Sequence, residues 1–144
     1  MIILHAQISR GCSVDFNKYV TAEIPYRIEG RDYDGIDCWG LVWLFYKEQM
    51  GVIVERYDDP YAIKKDYGIA LTLMRVLKRE WSRVEDPRDG DVVLAKDKGH
   101  PIHVGVYKHL NKMLNIREGK TPIIESLETL EWKHNLLGFY RLTR

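Results

Sequence analysis

The stretch that most constrains this chain is Asp37-Cys38-Trp39-Gly40-Leu41-Val42-Trp43-Leu44-Phe45-Tyr46. It is almost wholly apolar and follows directly on a turn signal, Asp34-Gly35. Asp37 is a good N-cap, because its carboxylate can accept backbone N–H bonds from the first turn. Gly51 suits the left-handed position that ends a helix. A helix is therefore predicted over residues 38–50, and apolar side chains on nearly every face mark it as a buried, central one. Its N-terminus gathers partial positive charge and unpaired N–H groups. A thiol placed there has its anion stabilised, and the thiolate is the nucleophile. The competing reading of Cys38 is an inert core cysteine, since free Cys is among the most buried residue types.

The other elements follow from period and punctuation. Residues 1–12 read as an extended or irregular lead-in, and 14–22 as a short helix capped by Ser13. A polar, turn-rich loop is expected over 28–35, and a loop or broken helix over 56–66. Residues 69–81 carry apolar side chains at helical spacing. Past the turn at Pro87-Arg88-Asp89-Gly90 the period changes. Strands are predicted at 92–95, 102–107, 113–116, 123–127 and 136–142, with a hairpin turn at 109–112. Helices first and strands afterwards imply an α+β fold: one domain over 1–144, with an antiparallel sheet packed on the central helix.

Composition narrows the functional classes. The chain has 144 residues and a net charge of +1, which gives no electrostatic case for nucleic acid or an anionic membrane. No apolar run approaches the ~18 residues of a membrane span. The opening Met1-Ile2-Ile3-Leu4-His5 has no basic segment before its short apolar patch, and Arg10 stands where a lipidation site needs a small apolar residue. Neither a signal peptide nor a lipid anchor is expected, so synthesis is expected in a cytoplasm. Cys12 and Cys38 are too few for a disulfide framework or a four-ligand zinc site. The five histidines (His5, His100, His103, His109, His134) show no metal-binding spacing. No cofactor or metal is expected.

A cysteine nucleophile needs an imidazole to take and return a proton, and a group to orient that imidazole. His103 is the best-placed histidine: it opens a strand and alternates with Gly105, which leaves room for a close approach. Its competing reading is a strand-edge histidine with an ordinary partner. Asn115 falls on the returning strand, almost opposite His103, and its amide oxygen can accept an imidazole N–H. Against that stands an Asn at a strand irregularity.

Gly35-Ile36-Asp37-Cys38-Trp39-Gly40-Leu41-Val42, then Arg88-Asp89-Gly90-Asp91-Val92, then His103-Val104-Gly105-Val106-Tyr107 resemble, in order and spacing, the NlpC/P60 family of papain-like cysteine peptidases. The resemblance covers about residues 20–143. It implies cleavage of cell-wall peptides, typically between γ-D-glutamate and the diamino acid of a peptidoglycan stem. It implies Cys38 as nucleophile, His103 as base and Asn115 at the third polar position, which is usually His in the family. Tyr26, Cys38 and Trp39 match the substrate and oxyanion side, through the Tyr26 hydroxyl and the Cys38 backbone N–H. Trp39 departs from the Ser that many members carry after the cysteine, and Ile28-Glu29-Gly30-Arg31 from the Gly-Gly pair that many carry in the preceding loop. The Asp-Cys-Trp-Gly-Leu-Val form resembles the branch found in bacteriophage tail proteins.

The expected function is thus a thiol peptidase on peptidoglycan stem peptides, carried in a phage tail or tail assembly and acting on the host wall. Its partners would be the stem peptide and other tail proteins, with no nucleic acid and no membrane insertion. Arg27, Glu29 and Arg31 are candidates for selecting the charged substrate. The alternative from another class is a structural tail component with a weak or vestigial site, in which the tryptophans and Tyr57, Tyr61 and Tyr67 partly serve an interface. A third is an acyltransferase or amidase using the same Cys–His machinery.

Overall fold

The computed structural model describes residues 14–56, 80–97 and 100–143. Cys12, His5, Tyr57, Tyr61, Tyr67 and nearly all of the helix expected over 69–81 lie outside them. Helix α1 spans Asn17–Thr21. It begins three residues later than the sequence suggested, and the Asp15 carboxylate meets its first turn, accepting from Lys18 N at 3.0 Å; Ser13, the expected cap, lies outside the described residues. Phe16 and Tyr19 bury against Phe45 of the central helix, with ring centroids 5.2 and 5.8 Å away.

The segment read as a turn-rich loop contains a small hairpin, β1 (Arg31–Asp32) and β2 (Gly35–Ile36). The central helix α2 covers Cys38–Phe45 and widens into a π turn, Tyr46–Met50. Gly51 ends it at φ 67°, as its position implied. Every residue from Trp39 to Phe45 is buried, so the apolar circumference of this segment does correspond to a helix enclosed on all sides.

Six antiparallel strands form the sheet, in the order β3-β8-β4-β5-β6-β7. They are β3 (Trp81–Val84), β4 (Val92–Asp97), β5 (His100–Lys108), β6 (Lys112–Asn115), β7 (Ile123–Ser126) and β8 (Leu136–Leu142). Trp81, expected to close a helix, instead opens an edge strand paired with β8. Its ring packs on Trp39 and Tyr46, so burial against α2 overrides the helical period there.

Alternation divides the sheet between two cores. Val92, Leu94, Val104, Val106, Leu114 and Ile116 join the cluster around α2. Val93, Ala95, Tyr107 and Met113 face the other way and pack with Leu127 and Trp132. Trp132 comes from a short helix that the sequence reading missed, α3 (Leu130–Asn135), capped by the Thr129 hydroxyl. Strands buried on both faces read as continuous apolar runs, which is why 92–95 shows no polar alternation.

The Arg88-Asp89-Gly90-Asp91 turn is an anchor. Asp91 is buried and accepts from Arg141 at 2.7 and 3.0 Å and from Arg88 N at 2.8 Å. The Tyr46 hydroxyl donates to the Gly90 carbonyl. The turn thus ties β4 and β8 to the far end of α2.

Candidate active site

Asp37 organises the Cys38 end of the site. One carboxylate oxygen accepts from Gly40 N and from Arg31 Nη1, both at 2.7 Å. The other accepts from Glu29 N at 2.9 Å. Arg31 is buried and also donates to the carbonyls of Gly30 and Arg56. It holds the loop before the helix to the chain after it. Arg31 therefore stands apart from its fellow candidates for substrate selection: its charge is spent internally, whereas Arg27 is exposed and Glu29 partly so. Gly40 permits this closure, because a Cβ there would sit 2.1 Å from the Gly30 carbonyl oxygen.

Cys38 is the first residue of α2 and is partly buried. Its sulfur accepts hydrogen bonds from the backbone N–H of Val104 and of Trp39. Helix-terminal N–H donation does favour the thiolate, as expected, and so does the Arg31 guanidinium. Desolvation outweighs them, and the neighbouring Asp37 carboxylate adds to it, so the thiol is pushed up to about 12. The cap that builds the helix start therefore opposes ionisation of the residue it presents. A thiolate at neutral pH needs a further positive partner.

The position of the candidate, His103, is set by the sheet. The β5–β6 pairing runs from Lys108↔Lys112 to Val106↔Leu114. The Val104 N–H lies past this ladder, and the Cys38 sulfur meets it there. His103 is the adjoining residue. It is buried, and its Nε2 lies 2.9 Å from Asn115 Oδ1. Asn115 is fully buried and donates from Nδ2 to Glu125 Oε2 at 2.9 Å. A carboxylate can only accept, so the Asn115 oxygen faces the imidazole. Nε2 then carries the proton, and Nδ1 has the basic lone pair. Continuing the register sets Asn115 against Gly105, two residues from the position opposite His103. The pair is diagonal rather than directly opposed.

The space at Gly105 is also used differently from the expectation. A Cβ there would come within 2.5 Å of Met113 and 2.8 Å of the Leu114 carbonyl. The neighbouring strand, not a helix end, occupies it. The Trp132 ring stacks on the imidazole of His103, with centroids 5.2 Å apart and planes at 19°. Arg117 lies 4.6 Å from that ring's centroid and ion-pairs with Glu131 at 2.9 Å and Glu125 at 3.5 Å.

Tyr26 is half-buried and bridges Ile36, two residues before Cys38. The Trp39 side chain points into the core, where Nε1 donates to the Glu55 carbonyl at 2.7 Å. The Trp39 backbone N–H reaches the Cys38 sulfur. His109 is exposed and pairs with Asp89 at the β5–β6 turn, and His134 lies on α3. Backbone pairing places His100 in β5 rather than in a loop.

Glu125, Arg117 and Trp132 were missed by sequence reasoning. A signal existed for Glu125: the pairs Met113↔Glu125 and Asn115↔Ile123 put it on Asn115's face once the 123–127 strand is set beside 113–116. Among the described residues, no group of three or more His, Cys, Asp or Glu could hold a metal ion, and no helix is long and apolar enough to cross a membrane.

A family model described as "NlpC/P60 family" matches residues 23–141. The murein DD-endopeptidase MepS/murein LD-carboxypeptidase of Escherichia coli is 27% identical over 112 residues, covering 76% of this chain and 51% of that protein. This chain spans about half the length of the curated relatives it matches. A solved NlpC/P60 family protein from Bacillus cereus is 25% identical, with a TM-score of 0.59 over 83% of this chain and 36% of its own. A lipoprotein-like NLP/P60 protein from Staphylococcus aureus reaches a TM-score of 0.65 at 18% identity, over 92% of this chain and 41% of its own, and shares the fold. With its model matched across most of the sequence, the chain belongs to the NlpC/P60 family.

Proposed function

We propose that this chain is a cysteine peptidase that hydrolyses amide bonds of peptidoglycan stem peptides. The observation that carries the proposal is the meeting of Cys38 and the His103 segment: the sulfur accepts the Val104 N–H, and the adjoining imidazole is held by Asn115. Family membership supports the substrate class, as does the relative named for murein endopeptidase and carboxypeptidase activity.

In the reaction, His103 Nδ1 takes the Cys38 proton, and the thiolate attacks the amide carbonyl. The Cys38 backbone N–H and the Tyr26 hydroxyl stabilise the oxyanion. The tetrahedral intermediate collapses as the imidazolium gives its proton to the leaving amine, which leaves a thioester on Cys38. A water molecule, deprotonated by His103, attacks the thioester and releases the acid, restoring the thiol. The Nε2–H bond to Asn115 holds one tautomer and one ring orientation throughout.

The bond proposed is that between γ-D-glutamate and the diamino acid, and the setting proposed is a phage tail, reached from a host cytoplasm and acting on the host wall with other tail proteins. The Asp37-Cys38-Trp39-Gly40-Leu41-Val42 form of the motif supports that setting. Defined stem peptides incubated with wild type and Cys38→Ala, with products read by mass spectrometry, test the reaction and the bond. Cleavage at the glutamyl bond by wild type alone is expected. Cleavage at the bonds named by the Escherichia coli relative would move the specificity. No cleavage of any stem peptide would contradict the peptidase reading.

A further inference from the structure

A side-chain amide is nearly symmetric in shape but not in chemistry. If Asn115 turned over, its NH2 would face His103, Nε2 would have to accept, and the ring proton would sit on Nδ1. That tautomer cannot take a proton from the thiol through Nδ1. Something must choose between the two orientations, and His103 alone cannot, because an imidazole suits either.

The choice is made one strand further on. His103, Asn115 and Glu125 form a diagonal across β5, β6 and β7, each step two residues off direct register. Asn115 Nδ2 donates to Glu125 Oε2 at 2.9 Å and lies 3.4 Å from the Ile123 carbonyl. Both are acceptors, and neither could receive a turned-over amide oxygen. Arg117 ion-pairs with the Glu125 carboxylate at 3.5 Å, and its guanidinium also lies over Trp132, the ring stacked on His103. The same cation thus steadies the carboxylate and the indole that packs on the imidazole.

We propose that Glu125 is a positioning residue that fixes the Asn115 amide orientation and so selects the Nε2–H tautomer of His103. Its catalytic consequence rests on the peptidase reading; its effect on the tautomer does not. Nitrogen NMR of protein labelled in histidine, recorded without substrate, reports the tautomer directly. Wild type shows His103 protonated at Nε2. Glu125→Ala shows a mixture of tautomers or protonation at Nδ1. Glu125→Gln, whose amide can turn its oxygen to Asn115, keeps the wild-type signature. If Glu125→Ala does not fold, Glu125→Met keeps the bulk, removes the acceptor and replaces it.

In turnover, Glu125→Ala lowers kcat about 10- to 100-fold through misorientation of the base, with KM little changed and partial rescue in Glu125→Gln. An unchanged His103 tautomer in Glu125→Ala or Glu125→Met overturns the proposal, whether or not wild type cleaves peptides. A wild type without peptidase activity, but with the expected tautomer shift, upholds the positioning role and removes only the peptidase reading.

Discussion

At the Cys38 end of the site, one carboxylate gathers three donors from a short length of chain: Glu29 N, Arg31 Nη1 and Gly40 N. At the His103 end, the bonds run from His103 to Asn115 to Glu125, with sequence separations of 12 and 10 residues. The first end is a charge-locked helix cap whose ion pair is almost fully buried. The second is a polar diagonal on a sheet face, roofed by an aromatic ring. The difference separates two jobs. The cap holds the fold together and leaves the thiol protonated. The diagonal is expected to contribute less to stability and, on the proposal above, to set the tautomer of His103.

Substitutions at the two ends should therefore fail in different ways. Cys38→Ala and His103→Ala are expected to lower stem-peptide turnover by about 10⁴-fold or more, as for other nucleophile–base pairs. Cys38→Ala should keep a melting temperature close to wild type, whereas His103→Ala leaves Asn115 without its partner and should also cost about 1–3 kcal/mol. Asp37→Ala removes the cap and leaves Arg31 buried without its carboxylate. Breaking such a pair costs about 3–5 kcal/mol, and urea unfolding should show it as a lowered midpoint at similar slope. Asn115→Ala reverses the pattern: about 1–3 kcal/mol from the partners it leaves behind, but a 10- to 100-fold fall in kcat. If Asn115→Ala unfolded the protein while Asp37→Ala only slowed it, the division of labour would be inverted.

Two milder changes sharpen the contrast. Gly105→Ala pushes a methyl against Met113 and the Leu114 carbonyl, at a cost of about 1–3 kcal/mol. Because Asn115 sits on the displaced strand, kcat should fall further than stability alone explains. Tyr33→Phe loses one exposed bond to Glu48, 2.7 Å long. It lies away from both ends and should change stability by no more than about 0.5 kcal/mol, with turnover unchanged.

The two ends also differ in how far the sequence exposes them. Asp37, Cys38 and Gly51 declare a capped helix through local rules, and the helix begins and ends where those rules place it. The strands from Val92 onward are legible for the same reason, since turns and apolar runs are local signals. The π turn is not legible in local signals; two of its residues bond far along the chain, Tyr46 to Gly90 and Glu48 to Tyr19.

The His103 end is only partly readable. His103 and Asn115 share a face by parity, but their diagonal offset depends on the three residues of the hairpin turn, where Leu110 and Asn111 both adopt positive φ. Arg117 and Trp132 come from segments for which no element was expected, and Glu125 from a strand expected over 123–127 whose neighbour the sequence does not name. Only the sheet order brings them behind the histidine. Cys38 carries the sharpest lesson. Helix position argues for an acidic thiol, yet burial and Asp37 push it the other way, and burial cannot be read from the cysteine's own neighbours in sequence.

The central claim is that the two ends work as one unit, with His103 ionising a thiol that its other surroundings hold protonated. The direct test is the rate of Cys38 alkylation by iodoacetamide as a function of pH, in wild type and in His103→Ala. A raised thiol pKa means less thiolate at any given pH. In His103→Ala, alkylation should therefore stay slow through neutral pH and climb only well into the alkaline range, because burial and Asp37 still hold the thiol up. In wild type, transfer of the proton to the imidazole should give fast alkylation from well below the ordinary thiol pKa of about 8.5. Superimposable profiles in the two proteins would contradict the account, because Cys38 and His103 would then titrate as strangers.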